Sequence, residues 1–324
     1  MNKTALVIPT VRKKSFDLFF LQWKSELWMF DHIIVVEDSP TRTFEIKDEA
    51  IKEGKIKHVS WQEIDENLGD NAWIISRKDS AIRSYGFYLA YHLGADLIYT
   101  VDDDCENLNT PPFVYNNCHR INLTDLPKWT GSIPGVHTIG MPYNNLGRTH
   151  AHISMGLWTG NTDYDAIHRI KGAQPITNLP ETRVMPLGQY FPMCGMNLAF
   201  RREATPLMYF PLMGEGQPYS RFDDIWCGII AKKICDHLGW LVTVGKPYLY
   251  HRGDSDPFDS LVKEAPGIKA NETFWEIINE IKLEGLCPIE CMKQVGFFLN
   301  LEQDLYLSKL GGAMMIWADL FANP

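Results

Sequence analysis

The sequence predicts an α/β protein, a mostly parallel sheet flanked by helices with a C-terminal helical appendage, and three observations predict it. Short β-branched runs alternate with helical-period segments through the first hundred residues. An acidic tripeptide closes the last of those runs, and two helical-period segments end the chain. Strands joined by helices at this spacing require right-handed crossovers, hence parallel pairing, and such sheets hold ligands at the carboxyl ends of their strands.

Thr4 to Ile8 is a short apolar strand that Pro9 is expected to stop. Phe16, Phe19, Phe20, Trp23 and Leu27 then recur at helical spacing. His32 to Val36 is a second strand, running into the turn Glu37-Asp38-Ser39-Pro40, and Ile56 to Val59 a third. Asp79 to Leu93 reads as a helix, and Asp96 to Val101 as a strand ending in Asp102-Asp103-Asp104. From about Glu106 to Gly188 the pattern becomes irregular, with Pro111-Pro112 and Asn- and Gly-rich turns, which in an α/β domain reads as a long functional loop. A helix follows from 222 to 238, opened by Asp223 and Asp224 and stopped at Gly239, and then a strand from Leu241 to Val244. Helical periodicity from about Asn271 onward gives the tail. The expected division is a catalytic domain over 1–255 and a helical extension over 256–324.

The 324 residues carry 31 Lys+Arg against 40 Asp+Glu, a net charge of −9, which argues against holding nucleic acid or an anionic membrane by bulk electrostatics. Hydrophobic residues at 45% and charged residues at 22% exclude disorder. No apolar run approaches the roughly 18 residues a membrane span needs. The chain enters a strand pattern at once and has an odd count of seven cysteines, so a cytoplasmic protein with reduced thiols is expected. Cys287 and Cys291 have no matching His or Cys pair nearby, which argues against a zinc site there.

The acidic tripeptide is the strongest chemical signal. Adjacent like charges are costly unless a divalent cation bridges them to a phosphate. In an extended chain Asp102 and Asp104 point one way and Asp103 the other, so the outer two are expected to hold Mn²⁺ or Mg²⁺ against a diphosphate. His251, after the apolar run from Pro247 to Tyr250, is a candidate third ligand or simply a structural strand-end His. Asp38 sits where an acidic residue reads a ribose or a base N–H, or caps a turn. Arg83, one helical turn from Asp79, either forms a surface pair with it or neutralises phosphate while Asp79 orients it. Asp223 and Asp224 are candidates for contacting sugar hydroxyls or for general-base work, against a plain helix-dipole role. Cys194 lacks a partner in sequence and is read as packing.

Several long motifs occur in order: Ile8-Pro9-Thr10, the strand ending in Asp38, Lys78-Asp79-Ser80-Ala81 with Arg83, Thr100 to Cys105, Gly156-Leu157-Trp158 with Asp163-Tyr164-Asp165-Ala166, Phe191 to Phe200, Phe222-Asp223-Asp224 and Cys235 to Gly239. Together they resemble the reversibly glycosylated polypeptides of plants, the UDP-arabinopyranose mutases, from the N-terminus to about Asp256. The resemblance implies a GT-A-like nucleotide-sugar-binding domain, a divalent metal, a UDP-sugar substrate, and interconversion of the pyranose and furanose forms of UDP-L-arabinose with self-glycosylation on an Arg. It implies that Asp102, Asp103 and Asp104 take the metal-diphosphate role, with Pro9, Asp38 and Arg83 around the nucleotide. One position departs: threading without gaps from Gly140 to Trp158 puts Leu146 where the family carries the glycosylated Arg, and the nearest is Arg148, with His150 and His152 close by. Two other readings stay open, a GT-A glycosyltransferase with a separate acceptor and an inactive UDP-sugar-binding subunit of a hetero-oligomer. Homo- or hetero-oligomerisation is undetermined. Trp158 and Tyr164 are candidates for stacking on a sugar ring.

Overall fold

The computed structural model describes residues 2–46, 54–107, 114–133, 135–161, 164–176, 180–253 and 255–322. Pro111, Pro112 and Asp163 lie outside the described residues. The chain runs β1 (Thr4–Thr10), α1 (Lys13–Leu27), β2 (His32–Glu37), β3 (Ile56–Val59), α2 (Trp61–Leu68), α3 (Arg83–His92) and β4 (Leu97–Val101). It continues through β5 (Cys105–Glu106), α4 (Val114–Thr124), β6 (Leu126–Pro127), β7 (Arg148–Thr149), β8 (Ile153–Gly160), α5 (Ala166–Ile170), β9 (Arg183–Val184) and β10 (Asn197–Arg201). It closes with α6 (Asp223–Leu238), β11 (Val242–His251), α7 (Pro257–Glu280), α8 (Pro288–Asn300) and α9 (Leu305–Asp319).

The main sheet has the order β3-β2-β1-β4-β10-β8-β11-β5, with β9 on β11. Its first four strands are parallel, as the sequence predicts. The residues of β1 are buried throughout, as a central parallel strand covered on both faces requires. Pro9 does not stop this strand: it pairs with Val36, while β4 follows β1 only as far as Val7. A missing N–H therefore interrupts no ladder on the β4 side.

The region read as an irregular loop contains β8, paired antiparallel to β10 and parallel to β11. The predicted Asp79–Leu93 helix is shorter at its start. Asp79 caps a 3₁₀ turn over Ser80–Ile82, accepting from the Ala81 N–H at 3.1 Å, before α3 begins. Its counterpart α6 starts at Asp223 and ends as expected, with Gly239 left-handed at φ 70°. The strand expected over Leu241–Val244 extends to His251.

The expected helical tail is present and packs on the sheet. Residues of α7, α8 and α9 belong to the same hydrophobic core as the sheet. The Trp317 indole N–H donates to Pro206 O at 3.0 Å, and the Tyr306 hydroxyl donates to Leu212 O at 2.7 Å. All seven cysteines are free thiols.

Candidate functional site

A cavity of about 840 Å³ opens at the carboxyl ends of β1, β2, β4 and β11, within the usual range for a small-molecule site. Because β10 runs antiparallel to β4, the segment entering it, including Cys194 and Met196, lands on the same rim. The floor is Pro9, Thr10 and Asp102 to Asp104. One wall holds Asp38 and Lys78 to Ser80; another holds Ser220 to Ile225, entering α6.

The three aspartates do not alternate as an extended strand would. β4 stops at Val101, and Asp102 to Cys105 turns, with the Cys105 N–H donating to Asp102 O at 3.1 Å. Each carboxylate therefore finds a different partner. Asp102 Oδ1 accepts from Arg83 Nη2 at 2.6 Å. Asp103 does not point away: its Oδ2 accepts from the Thr10 hydroxyl at 2.6 Å, and Arg12 lies 3.6 Å from its Oδ1. Burial pushes the Asp103 carboxyl up to about 6, against the opposing Thr10 hydrogen bond and Arg12 charge.

Asp104 faces His251, Oδ2 to Nε2 at 3.5 Å. Topology makes this meeting. β5 leaves the turn directly after Asp104 and pairs antiparallel with β11, setting Cys105 opposite His251, so the sheet curls until its central strand end meets its far edge. The His251 Nδ1 lies 2.7 Å from Asn161 O, which can only accept. Nδ1 therefore donates, and Nε2 is the ring nitrogen turned to Asp104. Burial opposes ionisation of Asp104, but the His251 contacts and the Arg12 and Arg252 charges hold its carboxyl below the ordinary value. Its Oδ1 is buried without a hydrogen-bond partner among the described residues. A carboxylate with an orphaned buried oxygen beside an imidazole nitrogen fits the donor set of a divalent cation.

Arg83 is buried at 2% exposure, so the surface pair with Asp79 does not exist. Its Nε donates to Ser80 O at 3.0 Å, Nη1 to Gly195 O at 2.6 Å and to the Thr100 hydroxyl at 3.3 Å, and Nη2 to Asp102. With four of five donors committed, it positions Asp102 and the Gly195 loop. A Cβ on Gly195 would lie 3.0 Å from Arg83 Nη1 and 2.8 Å from the Phe210 ring, so only glycine permits this approach.

Asp38 accepts from the Trp61 indole at 2.8 Å and from the Lys78 and Asp79 N–H groups at 3.0 and 2.9 Å. It thereby fixes a segment in which Lys78 is left-handed at φ 55°. Burial raises its pKa despite those donors. Across the cavity, the Ser220 hydroxyl donates to Asp79 Oδ2 and the Ser80 hydroxyl to Asp223 Oδ2, both at 2.9 Å. Burial and the Asp223 charge push Asp79 up to about 7; burial likewise raises Asp223, against the Arg83 charge. Each carboxyl is thus raised by burial and by the other's charge or its surroundings while a serine hydroxyl from the opposite wall donates to it. Asp224 Oδ2 accepts from the Gly195 N–H at 2.9 Å.

The profile of the family described as reversibly glycosylated polypeptide matches residues 1–124 and 135–323. This chain belongs to that family. UDP-arabinopyranose mutase 1 of Arabidopsis thaliana is 34% identical over 342 residues, covering 98% of this chain and 92% of the relative. A probable UDP-arabinopyranose mutase 1 of Pisum sativum is 35% identical over 349 residues, covering 97% and 89%. Among solved structures, glucosyl-3-phosphoglycerate synthase from Mycobacterium tuberculosis, in complex with Mn²⁺, UDP and phosphoglyceric acid, is similar at a TM-score of 0.46 and 14% identity, over 85% of this chain and 78% of that one.

In this member of the reversibly glycosylated polypeptide family, the cavity gathers Pro9, Asp38, Asp79, Arg83, Asp102, Asp103, Asp104, Asp223, Asp224 and His251. It does not gather Arg148. That residue is exposed on the two-stranded β6-β7 sheet and pairs with Asp125 at 3.3 Å, because the insert folds its own small sheet away from the rim. Trp158 is on β8 opposite Leu249, packed against the core, whereas Tyr164 does line the cavity. Sequence reasoning missed Arg12, Arg169, Arg221, Lys263 and Glu264. Arg12 was findable as a strand-end residue at a carboxyl edge. Arg221 adjoins the Phe222-Asp223-Asp224 motif and was findable from it; Arg169, Lys263 and Glu264 had no such signal, since α5 and α7 arrive from the insert and the tail, and Arg169 is anchored on Ser255, Nη2 to O at 2.7 Å.

Proposed function

We propose that the chain is a metal-dependent UDP-sugar enzyme, a UDP-arabinopyranose mutase interconverting the pyranose and furanose forms of UDP-L-arabinose. The observation that carries this reading is near-full-length relatedness at 33–35% to proteins of that name, joined to a cavity of fitting size and chemistry. Asp102, Asp104 and His251 would hold Mn²⁺ or Mg²⁺, which when bound supplies charge to stabilise a departing diphosphate. A cation is needed on charge grounds: ten carboxylates and six Lys or Arg side chains are among the lining residues, an acidic cavity for an anionic ligand.

Within this reading Arg83 is a positioning residue, holding Asp102 in place, and Arg12 and Lys78 are the cations at the mouth for phosphate oxygens. Asp79, raised to about 7, is the group suited to give or take a proton at a sugar hydroxyl as the ring opens and recloses, with Asp223 beside it. Asp224 orients the Gly195 backbone against the sugar. Incubating UDP-arabinopyranose with the protein and Mn²⁺, followed by anion-exchange chromatography, should yield the furanose; absence of any furanose refutes the mutase reading.

A second reading, transfer of the sugar to a separate acceptor, is favoured by one observation: Arg148, the nearest counterpart of the family's glycosylated Arg, is outside the cavity. Net UDP release on adding an acceptor extract supports transfer, and conservation of total UDP-sugar supports mutation.

A further inference from the structure

We propose that His150, His152 and Glu203 form a second cation site, for a late first-row divalent metal of the zinc class, at the end of the sheet opposite the cavity. One nitrogen or oxygen from each of the three lies within 4.8 Å of the others. The site is separate from the metal-diphosphate region. His152 directly precedes β8, and the far end of that strand reaches the cavity rim at Asn161, eight to nine residues or roughly 26–30 Å away at the rise of an extended chain.

Three chain segments converge to build it. The His152 N–H donates to Leu241 O at 2.8 Å, and its carbonyl accepts from the Arg201 N–H at 2.9 Å, which ties the entry to β8 to the ends of its two neighbours. Its ring stacks on Trp240 at 3.8 Å and 5°, so the imidazole is held in one orientation. Only 9% of His152 is exposed, and its Nδ1 is buried without a hydrogen-bond partner among the described residues. Its Nε2 lies 4.0 Å from Glu203 Oε1, and the His150 ring centre is 4.9 Å from its own.

The ligand chemistry is ready. A neutral imidazole offers one ring nitrogen to a metal, and the Trp240 stack fixes the His152 ring plane. Two imidazoles and one carboxylate select zinc-class ions over magnesium, and three protein ligands leave a position for water. Tetrahedral bonds to zinc space ligands by roughly 3.4 Å, so the set must close by about an ångström. His150 is exposed and can rotate inward while His152 stays fixed, whereas the Glu203 Oε1 that faces His152 also accepts from Arg201 Nε and must loosen that ion pair to close on a metal.

The test is a titration of the full, tag-free, chelator-stripped chain with Co²⁺, read by its ligand-field absorption, and with Zn²⁺ in competition. The expected result is one equivalent with a tetrahedral or five-coordinate spectrum that persists in Asp104→Asn, in addition to any Co²⁺ held at the Asp104 site, and that Zn²⁺ displaces. His150→Ala and Glu203→Gln, both exposed and so compatible with folding, should each weaken Zn²⁺ at least tenfold, while Asp104→Asn should leave this equivalent intact. Unchanged Zn²⁺ affinity in His150→Ala, or loss of the equivalent in Asp104→Asn, overturns the proposal.

Discussion

Asp104 is the residue on which the metal reading turns, because its Oδ1 is the buried oxygen left without a partner and its Oδ2 faces His251. Asp104→Asn keeps the shape and removes the charge, so calorimetry should show Mn²⁺-dependent UDP binding abolished; unchanged affinity refutes the assignment. Asp79 makes a different prediction, of pH dependence. Its folded pKa, about 7, is above the ordinary 3.8, so between about pH 4 and 7 the folded state binds more protons than the unfolded one. Stability must then fall as pH rises through that window and level off above it. Asp79→Asn should flatten that fall in urea midpoints measured across the window; an unaltered slope contradicts the raised pKa. The acidic tripeptide, His251 and the Asp223/Asp224 pair were legible because strand ends and helix starts are visible in sequence. The role of Arg83 was not. Its burial depends on Gly195 O and Thr100, brought to it from two other segments, and no spacing along the chain encodes that.

At the scale of elements, the parallel half of the sheet was legible because buried parallel strands read as continuous apolar runs. β8 was not, because Ile153–Gly160 mixes Ser, Thr and two Gly with its apolar residues. Gly156 is there for Asn197: a Cβ would come within 2.2 Å of that side chain, which donates to Leu157 O and Pro247 O at 2.8 and 3.0 Å. Helix α9 supplies the clearest stability test. Trp317 is fully buried, and its removal leaves a large cavity and an unpaired Pro206 carbonyl. Trp317→Ala should cost about 3–5 kcal/mol in urea unfolding, and a loss below about 1 kcal/mol would show that the tail is not part of the shared core. Arg83→Met tests the junction of α3 with the site. Leaving Asp102 and Gly195 O without their partner should cost about 3 kcal/mol, with UDP binding lost even where the variant still folds.

For the whole molecule, the net charge of −9 is partly concentrated in the cavity, at Asp102 to Asp104, Asp79, Asp223 and Asp224. The same acidity that argues against nucleic acid is thus gathered in part at one cavity. Curling of the sheet is the global feature that sequence patterns do not carry: β5 follows β4 by three residues yet pairs at the far edge, and only that closure brings His251 to Asp104. The most direct measurement of the central claim is an anomalous difference map from a crystal grown with Mn²⁺ and UDP. A single cavity peak is expected within about 2.2 Å of an Asp104 oxygen and His251 Nε2, with the diphosphate completing its coordination. UDP bound in the cavity with no manganese on Asp104, or manganese there with no nucleotide beside it, would contradict it.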